Sequence, residues 1–283
     1  PASTGLTTYQ GNFGVSRGHG FELVLNTENL AGNLRWQTNV LLSMTKDKLV
    51  EYTATADARV SSSVMTGTLN VYEGRPIYSI SSYEWAGLNP ENGNPRGYLD
   101  GLVSEDYNAI IGSATFETIH YHGYSEPPYF GALRNTFSYK GLSVSANVSF
   151  RLGYFLRREA VLYSNNYGLG TGGDYNLRWQ KPGDETHTYV PSVPETFVSG
   201  RDNFYRWSAA LVDTGDHIRL QDVRLDYRLP DKWSASIGIN SIQFSLYANN
   251  LGVLWKASRF SGDPDFPMQQ PLRTYAFGLT VGF

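Results

Sequence analysis

Few side chains in this 283-residue sequence are spaced for catalysis or for metal binding. His120 and His122 flank Tyr121, so on a strand the two imidazoles would share one face and could bind a metal ion. No Cys or carboxylate at ligand spacing completes that set, and loop histidines are the simpler interpretation. We therefore expect no metal centre and no bound cofactor.

Two acidic turns and a serine stripe are the other candidates for chemistry. Residues 172–174 (GGD) and 263–265 (DPD) could ligate calcium weakly, although acidic residues in exposed loops are the simpler interpretation. Ser143, Ser145 and Ser149 form a small polar stripe without a histidine and an acid at hand, and nucleophilic hydrolysis needs both. The sequence predicts a protein that is not an enzyme.

A row of charges is the most informative polar feature. Asp222, Arg224, Asp226 and Arg228 alternate with apolar residues, and Arg151 belongs to a similar polar row. Such a row predicts a polar, water-facing wall that contacts a solute. It equally fits a ladder of cross-strand salt bridges that holds a sheet together.

Aromatic residues gather in the segment 157–215, which is also rich in proline. Flat aromatic rings stack on sugars and suit polar interfaces. We expect this segment to contact a substrate or a surface partner, or else to pack only against other loops. The candidate contact residues are Tyr163, Tyr167, Tyr175, Trp179 and Tyr189.

Composition excludes several classes of protein. Charged residues make up 17% of the chain, below the roughly 25% of soluble domains. There is no Cys, so the chain has neither a disulfide nor a thiolate site. The sequence contains no cluster of Lys and Arg, so nothing in it indicates a nucleic-acid partner. The sequence contains no run of about 18 apolar residues, so it predicts no membrane-spanning helix. The first residues do not resemble a signal peptide.

Alternation with period two dominates the sequence. In residues 142–154, apolar and small polar residues alternate without a break, which is longer than a globular strand of about 5–6 residues and suits a membrane strand of roughly 9–11. Apolar residues occupy even-numbered positions at Ile218 and Leu220, but odd-numbered positions from Val223 onward. This change of phase predicts a β-bulge near Gln221.

These strands predict an antiparallel transmembrane β-barrel, with an ordinary β-sandwich as the alternative. The apolar rows carry no charge across their middles, where a Lys or Arg facing lipid would cost about 2–4 kcal/mol. Short turns alternate with long connections, as expected of periplasmic turns and extracellular loops. We count about nine strands, an odd number that puts the C-terminus at the short-turn side, in the periplasm. Other strands must close the barrel, because an open edge in lipid leaves backbone groups unpaired.

Several segments resemble the C-terminal barrel of SusC/RagA-type TonB-linked outer-membrane transporters of Bacteroidota. Asn89 departs from the family pattern, which has Asp there, and the terminal aromatic Phe283 fits its C-terminal signal. The matching segments are 18–23 (GHGFEL), 83–95 (YEWAGLNPENGNP), 135–141 (NTFSYKG), 179–186 (WQKPGDET), 216–227 (DHIRLQDVRLDY), 249–251 (NNL) and 261–265 (SGDPD).

The resemblance implies that residues 1–283 are the C-terminal portion of a barrel of about 22 strands, without the plug domain and the TonB box. It implies import of an oligosaccharide or peptide across the Gram-negative outer membrane. The implied partners are a SusD-like surface lipoprotein, outer-membrane lipid, and TonB–ExbB–ExbD reached through the missing N-terminal part. Two alternatives stay open: a SusC-like barrel serving as a structural subunit of a larger outer-membrane complex, and a secreted glycan-binding β-sandwich.

Overall fold

The computed structural model describes residues 14–53, 60, 64, 72–163, 174–236, 238–258, 262–266 and 270–283. Antiparallel strands dominate, which confirms the predicted all-β fold. The chain divides into two compact units. The sheet unit comprises residues 20–45, 124–159 and 212–283, and the loop unit comprises 1–19, 46–123 and 160–211.

The strands differ greatly in length, from 3 to 19 residues. In chain order they are β1 (Gly14–Leu30), β2 (Leu34–Tyr52), β3 (Ser79–Tyr83), β4 (Gly97–Leu99), β5 (Leu102–Ser104), β6 (Ile119–Tyr124), β7 (Tyr129–Tyr139), β8 (Leu142–Leu152), β9 (Phe155–Arg157), β10 (Val212–Thr214), β11 (His217–Arg228), β12 (Ser241–Lys256) and β13 (Thr274–Gly282). Three short α-helices are α1 (Tyr107–Ser113), α2 (Arg201–Trp207) and α3 (Asp231–Ser236). Single 3-10 turns lie at Tyr175–Leu177, Asp184–Thr186 and Ala209–Leu211. No helix among the described residues is long and apolar enough to cross a bilayer.

The long strands form one sheet in the order β1-β2-β7-β8-β11-β12-β13. β11 pairs with both β8 and β12, and both registers skip Gln221 between Leu220 and Asp222. The predicted β-bulge is therefore confirmed at Gln221. The extra residue brings His217 and Arg219 onto the same face as Asp222, since it shifts the alternation by one position.

The two faces of this sheet differ in chemistry. One face carries polar side chains that pair across neighbouring strands, such as Arg134 opposite Asn147 and Asp226 opposite Ser143. The other face carries apolar rows that stay exposed. Its exposed side chains include Leu133, Phe137, Leu142, Val144, Leu246, Phe277 and Leu279. Exposed rows of this kind differ from the inner face of a β-sandwich, whose second sheet would bury them.

A tight hairpin joins β7 to β8. Lys140 and Gly141 both have positive φ, 46° and 85°, as a two-residue type I′ turn requires. A Cβ on Gly141 would lie 2.6 Å from the carbonyl oxygen of Arg228. Glycine at that position therefore satisfies both the turn and the close approach of the neighbouring strand.

The large sheet has seven strands in the described part of the chain, where the sequence predicted about nine. Shorter strands lie outside this sheet: β3 pairs with β6, and β4 pairs with β5, as separate two-stranded sheets. All five residues of β3 are buried, so this strand lies in the core of the loop unit and has no lipid-facing side. Period-two patterning cannot distinguish such a short buried strand from a spanning one.

The loop unit has its own apolar core. Phe204 of α2 is fully buried and stacks against Tyr83, with ring centroids 6.0 Å apart. Helix α1 is preceded by its N-cap residue Asp106, whose side chain accepts a hydrogen bond from the backbone N–H of Ala109 at 3.0 Å. The buried residues of this core are Val60, Val64, Tyr83, Tyr107, Ile110, Ile119 and Phe204.

Candidate functional site

The centre of the polar face is organised around Asp222, which is only 4% exposed. Its Oδ2 accepts hydrogen bonds from Arg134 Nη2 and from Asn147 Nδ2, both at 3.0 Å. Asn147 lies opposite Asp222 on β8, and Arg134 lies one strand further on β7. The carboxylate therefore connects β11 to β8 and β7 through hydrogen bonds. These bonds stabilise its charge, because a buried charge must be paired.

The rest of the predicted charged row is paired mostly along its own strand. Arg224 donates to Asp226 through Nε at 2.7 Å and through Nη2 at 2.9 Å. Gln243 of β12 donates to the same carboxylate at 3.2 Å. Arg228 approaches Asp231 of α3 at 3.4 Å. The row is a set of local ion pairs rather than a regular cross-strand ladder.

Arg151 stands at the opposite end of the polar face from Arg228. It donates to Asp265 Oδ1 at 2.7 Å. Asp265 Oδ2 lies 3.1 Å from His217 Nε2 and 3.4 Å from Arg219 Nε. Arg219 also donates to Asp263. Segment 262–266 is thus attached to β8 and β11 by several charged contacts, a set that we call the latch.

The latch favours an ionised Asp265. Burial opposes its ionisation, but the hydrogen bond from His217 and the positive charges of Arg151 and Arg219 outweigh that cost. The net result is that the pKa of the Asp265 carboxyl lies below its ordinary value.

The acidic turn of residues 263–265 therefore binds cationic side chains in this structure. Both of its carboxylates contact guanidinium groups. No cluster of three or more His, Cys, Asp or Glu suited to a metal ion occurs among the described residues. Asp174 of the other predicted calcium turn accepts a hydrogen bond from the hydroxyl of Tyr189 at 3.0 Å.

Trp179, one of the predicted aromatic contacts, is only 8% exposed. Its indole lies on Gly93, where a Cβ would come within 2.4 Å of Cδ2. Its Nε1 donates to Glu185 at 3.1 Å, and its backbone N–H donates to Val190 at 2.9 Å. Two of the motifs found in the sequence, 83–95 and 179–186, therefore contact each other within the loop unit.

The other predicted aromatics form a second group. The Tyr163 hydroxyl donates to the carbonyl of Pro191 at 2.7 Å, and its ring centre lies 6.4 Å from that of Tyr175. Burial raises the pKa of Tyr163 to about 12. The Tyr175 ring lies under the guanidinium of Arg178, at 4.3 Å. Tyr167 lies outside the described residues.

Arg201 was not predicted, yet it is the largest of the fully buried side chains among the described residues, at 1% exposed. Its Nε donates to Asn94 at 2.9 Å, and its Nη2 donates to the carbonyl of Ser192 at 2.7 Å. Burial lowers its pKa, although a guanidinium stays charged at any physiological pH. Asn94 also donates to Glu105 at 2.9 Å, so this network joins the 83–95 turn to α2 and to the segment before α1.

The two neighbouring histidines do share one face of β6, as predicted. Their ring centres are 4.4 Å apart. His120 Nδ1 lies 3.4 Å from Glu84 Oε1, and His122 Nε2 lies 3.1 Å from Ser82 Oγ.

Two curated proteins of Formosa agariphila match the chain along almost its entire length. TonB-dependent receptor P26 is 25% identical over 296 residues, covering 94% of this chain and 27% of that protein. TonB-dependent receptor P3 is 21% identical over 316 residues, covering 100% of this chain and 30% of that protein. No protein-family model matches the chain. The predicted resemblance to TonB-linked transporters is confirmed.

Solved structures of the RagAB peptide importer share the fold of this TonB-receptor-like chain. The structure of the importer in the open-open state matches with a TM-score of 0.70 at 19% identity, and the match covers 100% of this chain and 30% of the importer chain. The closed-closed state gives a TM-score of 0.70 at 18% identity. The chain spans less than a third of the length of the proteins it matches.

Proposed function

We propose that residues 1–283 form the C-terminal portion of the barrel of a TonB-dependent outer-membrane nutrient importer. The observation that carries the proposal is the two-faced sheet, with an exposed apolar face and a polar face whose charges are paired. Hydrocarbon on one side and water on the other is the environment in which such a sheet is stable. The role of the chain is transport rather than catalysis.

The orientation follows from the connections. Tight turns at residues 31–33 and 140–141 and the short connection 229–240 lie at one end of the strands, with Phe283. The long connections 53–128, 153–216 and 257–273 lie at the other end. In an outer-membrane barrel the long loops are extracellular. We therefore place the C-terminus in the periplasm. The plug and the segment that reaches TonB–ExbB–ExbD would belong to polypeptide outside these residues, in keeping with the greater length of the relatives.

The polar face would be part of the lumen wall, which would carry Asp222, Arg224, Asp226, Arg228 and Arg151 on its inner side. Charges of both signs, each paired with a neighbour, suit a polar solute of mixed charge better than a strongly charged one. We propose a peptide or an oligosaccharide as the solute. The peptide importer RagAB, whose fold this chain shares, supports the first choice.

A SusD-like lipoprotein is the proposed partner of the loop unit. Phe197 is 75% exposed and Leu102 is 74% exposed, and exposed apolar side chains suit a protein contact. Tyr163, Tyr175 and Tyr189 are half-buried, which leaves part of each ring for contact with a partner or with solute. Tyr167 and Trp179 belong to the same proposed group.

Uptake by cells that carry the full-length protein tests this function. A mixed peptide pool and a mixed oligosaccharide pool would be offered to wild-type cells, to cells lacking the gene, and to cells lacking TonB. The proposal expects one pool to be depleted by the wild type only. Equal depletion by all three strains, with the protein present in the outer membrane, would contradict it.

A structural role in a larger outer-membrane complex is the second candidate. The pairing of Arg224 with Asp226 and of Arg134 with Asp222 favours it, because a wall whose charges satisfy one another can be purely structural. Purification in mild detergent separates the two functions. A single SusD-like lipoprotein in the eluate favours import, whereas several other subunits favour the structural role.

A further inference from the structure

The latch fills cationic positions of the sheet with carboxylates of the chain itself. Arg219 of β11 is 2% exposed and donates through Nη2 to Asp263, while its Nε lies 3.4 Å from Asp265 Oδ2. Arg151 of β8 donates to the other oxygen of Asp265 at 2.7 Å. Segment 262–266 therefore supplies the acceptors for both guanidinium groups.

An open cavity of about 500 Å³ borders this contact, a size that suits a small ligand. Arg219 and Asp263 line it, together with Lys256 and Arg273. Lys256 donates to the carbonyl of Gly262 at 2.8 Å, and Arg273 is exposed. Among the described lining residues, three side chains are thus cationic and one is a carboxylate. This excess of positive charge attracts a small anionic group.

The contact with Asp263 leaves part of the Arg219 guanidinium unused. Within the described part of the chain, Arg219 Nη1 is buried and has no hydrogen-bond partner. A buried donor without an acceptor is unfavourable, and a guanidinium binds a carboxylate best through two parallel N–H bonds. Asp263 accepts only from Nη2. A free carboxylate in the place of Asp263 would be able to bind both Nη atoms.

The cavity also has an apolar wall beside the guanidinium. Val253 lines it, is half-buried and pairs with Arg219 in the register of β11 and β12. Directly paired residues of neighbouring strands put their side chains on the same face of a sheet. A carboxylate beside an aliphatic surface fits the C-terminal residue of a peptide. A uronic acid has the same carboxylate but would turn hydroxyl groups toward that wall.

We propose that Arg219 binds the carboxylate of the transported solute, and that Asp263 occupies this position when solute is absent. The inference rests on the proposed function, since it requires the long-loop end of the polar face to meet the entering solute. The carboxylate of the solute enters through the cavity, displaces Asp263 and releases segment 262–266. The C-terminus of a peptide is the source of carboxylate that the apolar wall favours.

Binding of short solutes to the purified full-length protein in detergent tests the proposal. A pool of N-acetylated pentapeptides would be titrated as free acids and as C-terminal amides, and the bound fraction measured by native mass spectrometry. The acids are expected to bind at least about tenfold more tightly, because only a carboxylate forms charge-assisted bonds with Arg219. An oligouronide and a neutral oligosaccharide of the same length form a second pair. A preference within that pair alone would assign the carboxylate to a uronic acid.

Two variants distinguish solute binding from a purely structural role. Asp263→Asn removes the competing charge, so it is expected to tighten the binding of the acids about tenfold and to leave the amides unchanged. Arg219→Lys retains a charge but cannot bind in the bidentate manner, so it is expected to weaken acid binding about tenfold. Asp231→Asn, an exposed change at the other end of the sheet, is the matched control and should bind like the wild type.

Hydrogen exchange of segment 262–266 reports the displacement itself, and it is expected to rise when the wild type binds the acids. Heat-modifiable migration checks that each variant is folded. If Arg219→Lys fails that check, Arg273→Gln replaces it, since it removes an exposed cation of the same cavity and should weaken acid binding about threefold.

Three results would overturn the proposal: equal or undetectable binding of the charged and neutral members of both pairs, unchanged or weaker acid binding by Asp263→Asn, or unchanged hydrogen exchange of segment 262–266 in the bound protein. TonB-dependent depletion of acids and amides at equal rates by whole cells would contradict this inference while leaving the proposed import function intact. The two failures are therefore distinguishable.

Discussion

The indole of Trp179 lies so close to Gly93 that a Cβ on that glycine would be 2.4 Å from Cδ2. The tryptophan begins the 179–186 motif, and the glycine belongs to the 83–95 turn. Ser192, which lies six residues beyond that motif, also contacts the 83–95 turn. Its backbone N–H donates to the carbonyl of Gly93 at 3.0 Å, and its hydroxyl donates to the carbonyl of Asn92 at 2.7 Å. The two motifs therefore pack against each other and help to build the loop unit.

Substituting Gly93→Ala should open the loop unit. The methyl group would overlap the indole, and the positive φ of 70° adds backbone strain. We expect a loss of about 2–4 kcal/mol in local stability, seen as roughly 30- to 1000-fold faster proteolysis within residues 84–95 of the folded full-length protein. Gly101→Ala is the control, because φ is also positive there but no atom lies within 4 Å. It should cost only about 1 kcal/mol, and equal effects of the two changes would contradict the packing argument.

Substituting Arg201→Lys should also loosen the loop unit. An ammonium group cannot reproduce both the Nε bond to Asn94 and the Nη2 bond to Ser192. Breaking a buried charged network costs about 3–5 kcal/mol. Hydrogen exchange of the backbone in residues 89–96 measures the opening. Arg206→Lys, on an exposed position of the same helix, should leave that exchange within about threefold of the wild type.

The latch should release at acidic pH. Because the pKa of Asp265 is lower in the folded protein than its ordinary value of 3.8, its contribution to stability is complete above that value and is lost as the pH falls through the lower folded pKa. Hydrogen exchange of segment 262–266 should therefore rise steeply below about pH 4. Asp265→Asn should raise the hydrogen exchange of this segment in the same way at neutral pH, because it lowers the local stability by about 2–3 kcal/mol. Asp231→Asn, which removes an exposed pair with Arg228, is the control and should change stability by less than about 1 kcal/mol.

Assembly of the protein should depend on which face of β12 receives a charge. Leu246→Arg places a cation on the apolar face and should cost about 2–4 kcal/mol, reducing the amount of heat-modifiable protein in the outer membrane. Gln243→Arg places the same side chain on the polar face, three residues away, and should assemble normally. If both variants assembled equally, the apolar face would not be in contact with lipid.

Much of the sheet could be predicted because its residues obey a single alternation. Residues 142–152 form one strand, and the change of phase at Gln221 is a bulge in both registers. The hairpin at Lys140–Gly141 follows from turn chemistry. These features are local, so the sequence carries them directly.

The loop unit and the latch could not be predicted because their contacts join distant positions. Arg201 contacts Asn94 across 107 residues, and Arg151 contacts Asp265 across 114. Asp263 and Asp265 had the appearance of a weak calcium turn, and only the fold brings guanidinium groups to them. The bulge was predicted, but its consequence, that Arg219 joins the polar face, depends on which strands lie beside β11.

Site-directed spin labelling of β8 reports which of its side chains face hydrocarbon and which face water. Residues 1–283 contain no Cys, and any Cys elsewhere in the full-length protein would first be replaced by Ser. Labels at positions 143 to 150 of the full-length protein in bilayers would be probed with oxygen, which is enriched in hydrocarbon, and with a water-soluble nickel complex. The account predicts strict alternation, with Val144, Ala146 and Val148 accessible to oxygen and Ser143, Asn147 and Ser149 accessible to nickel. Accessibility that does not alternate, or nickel access to both faces, would contradict it.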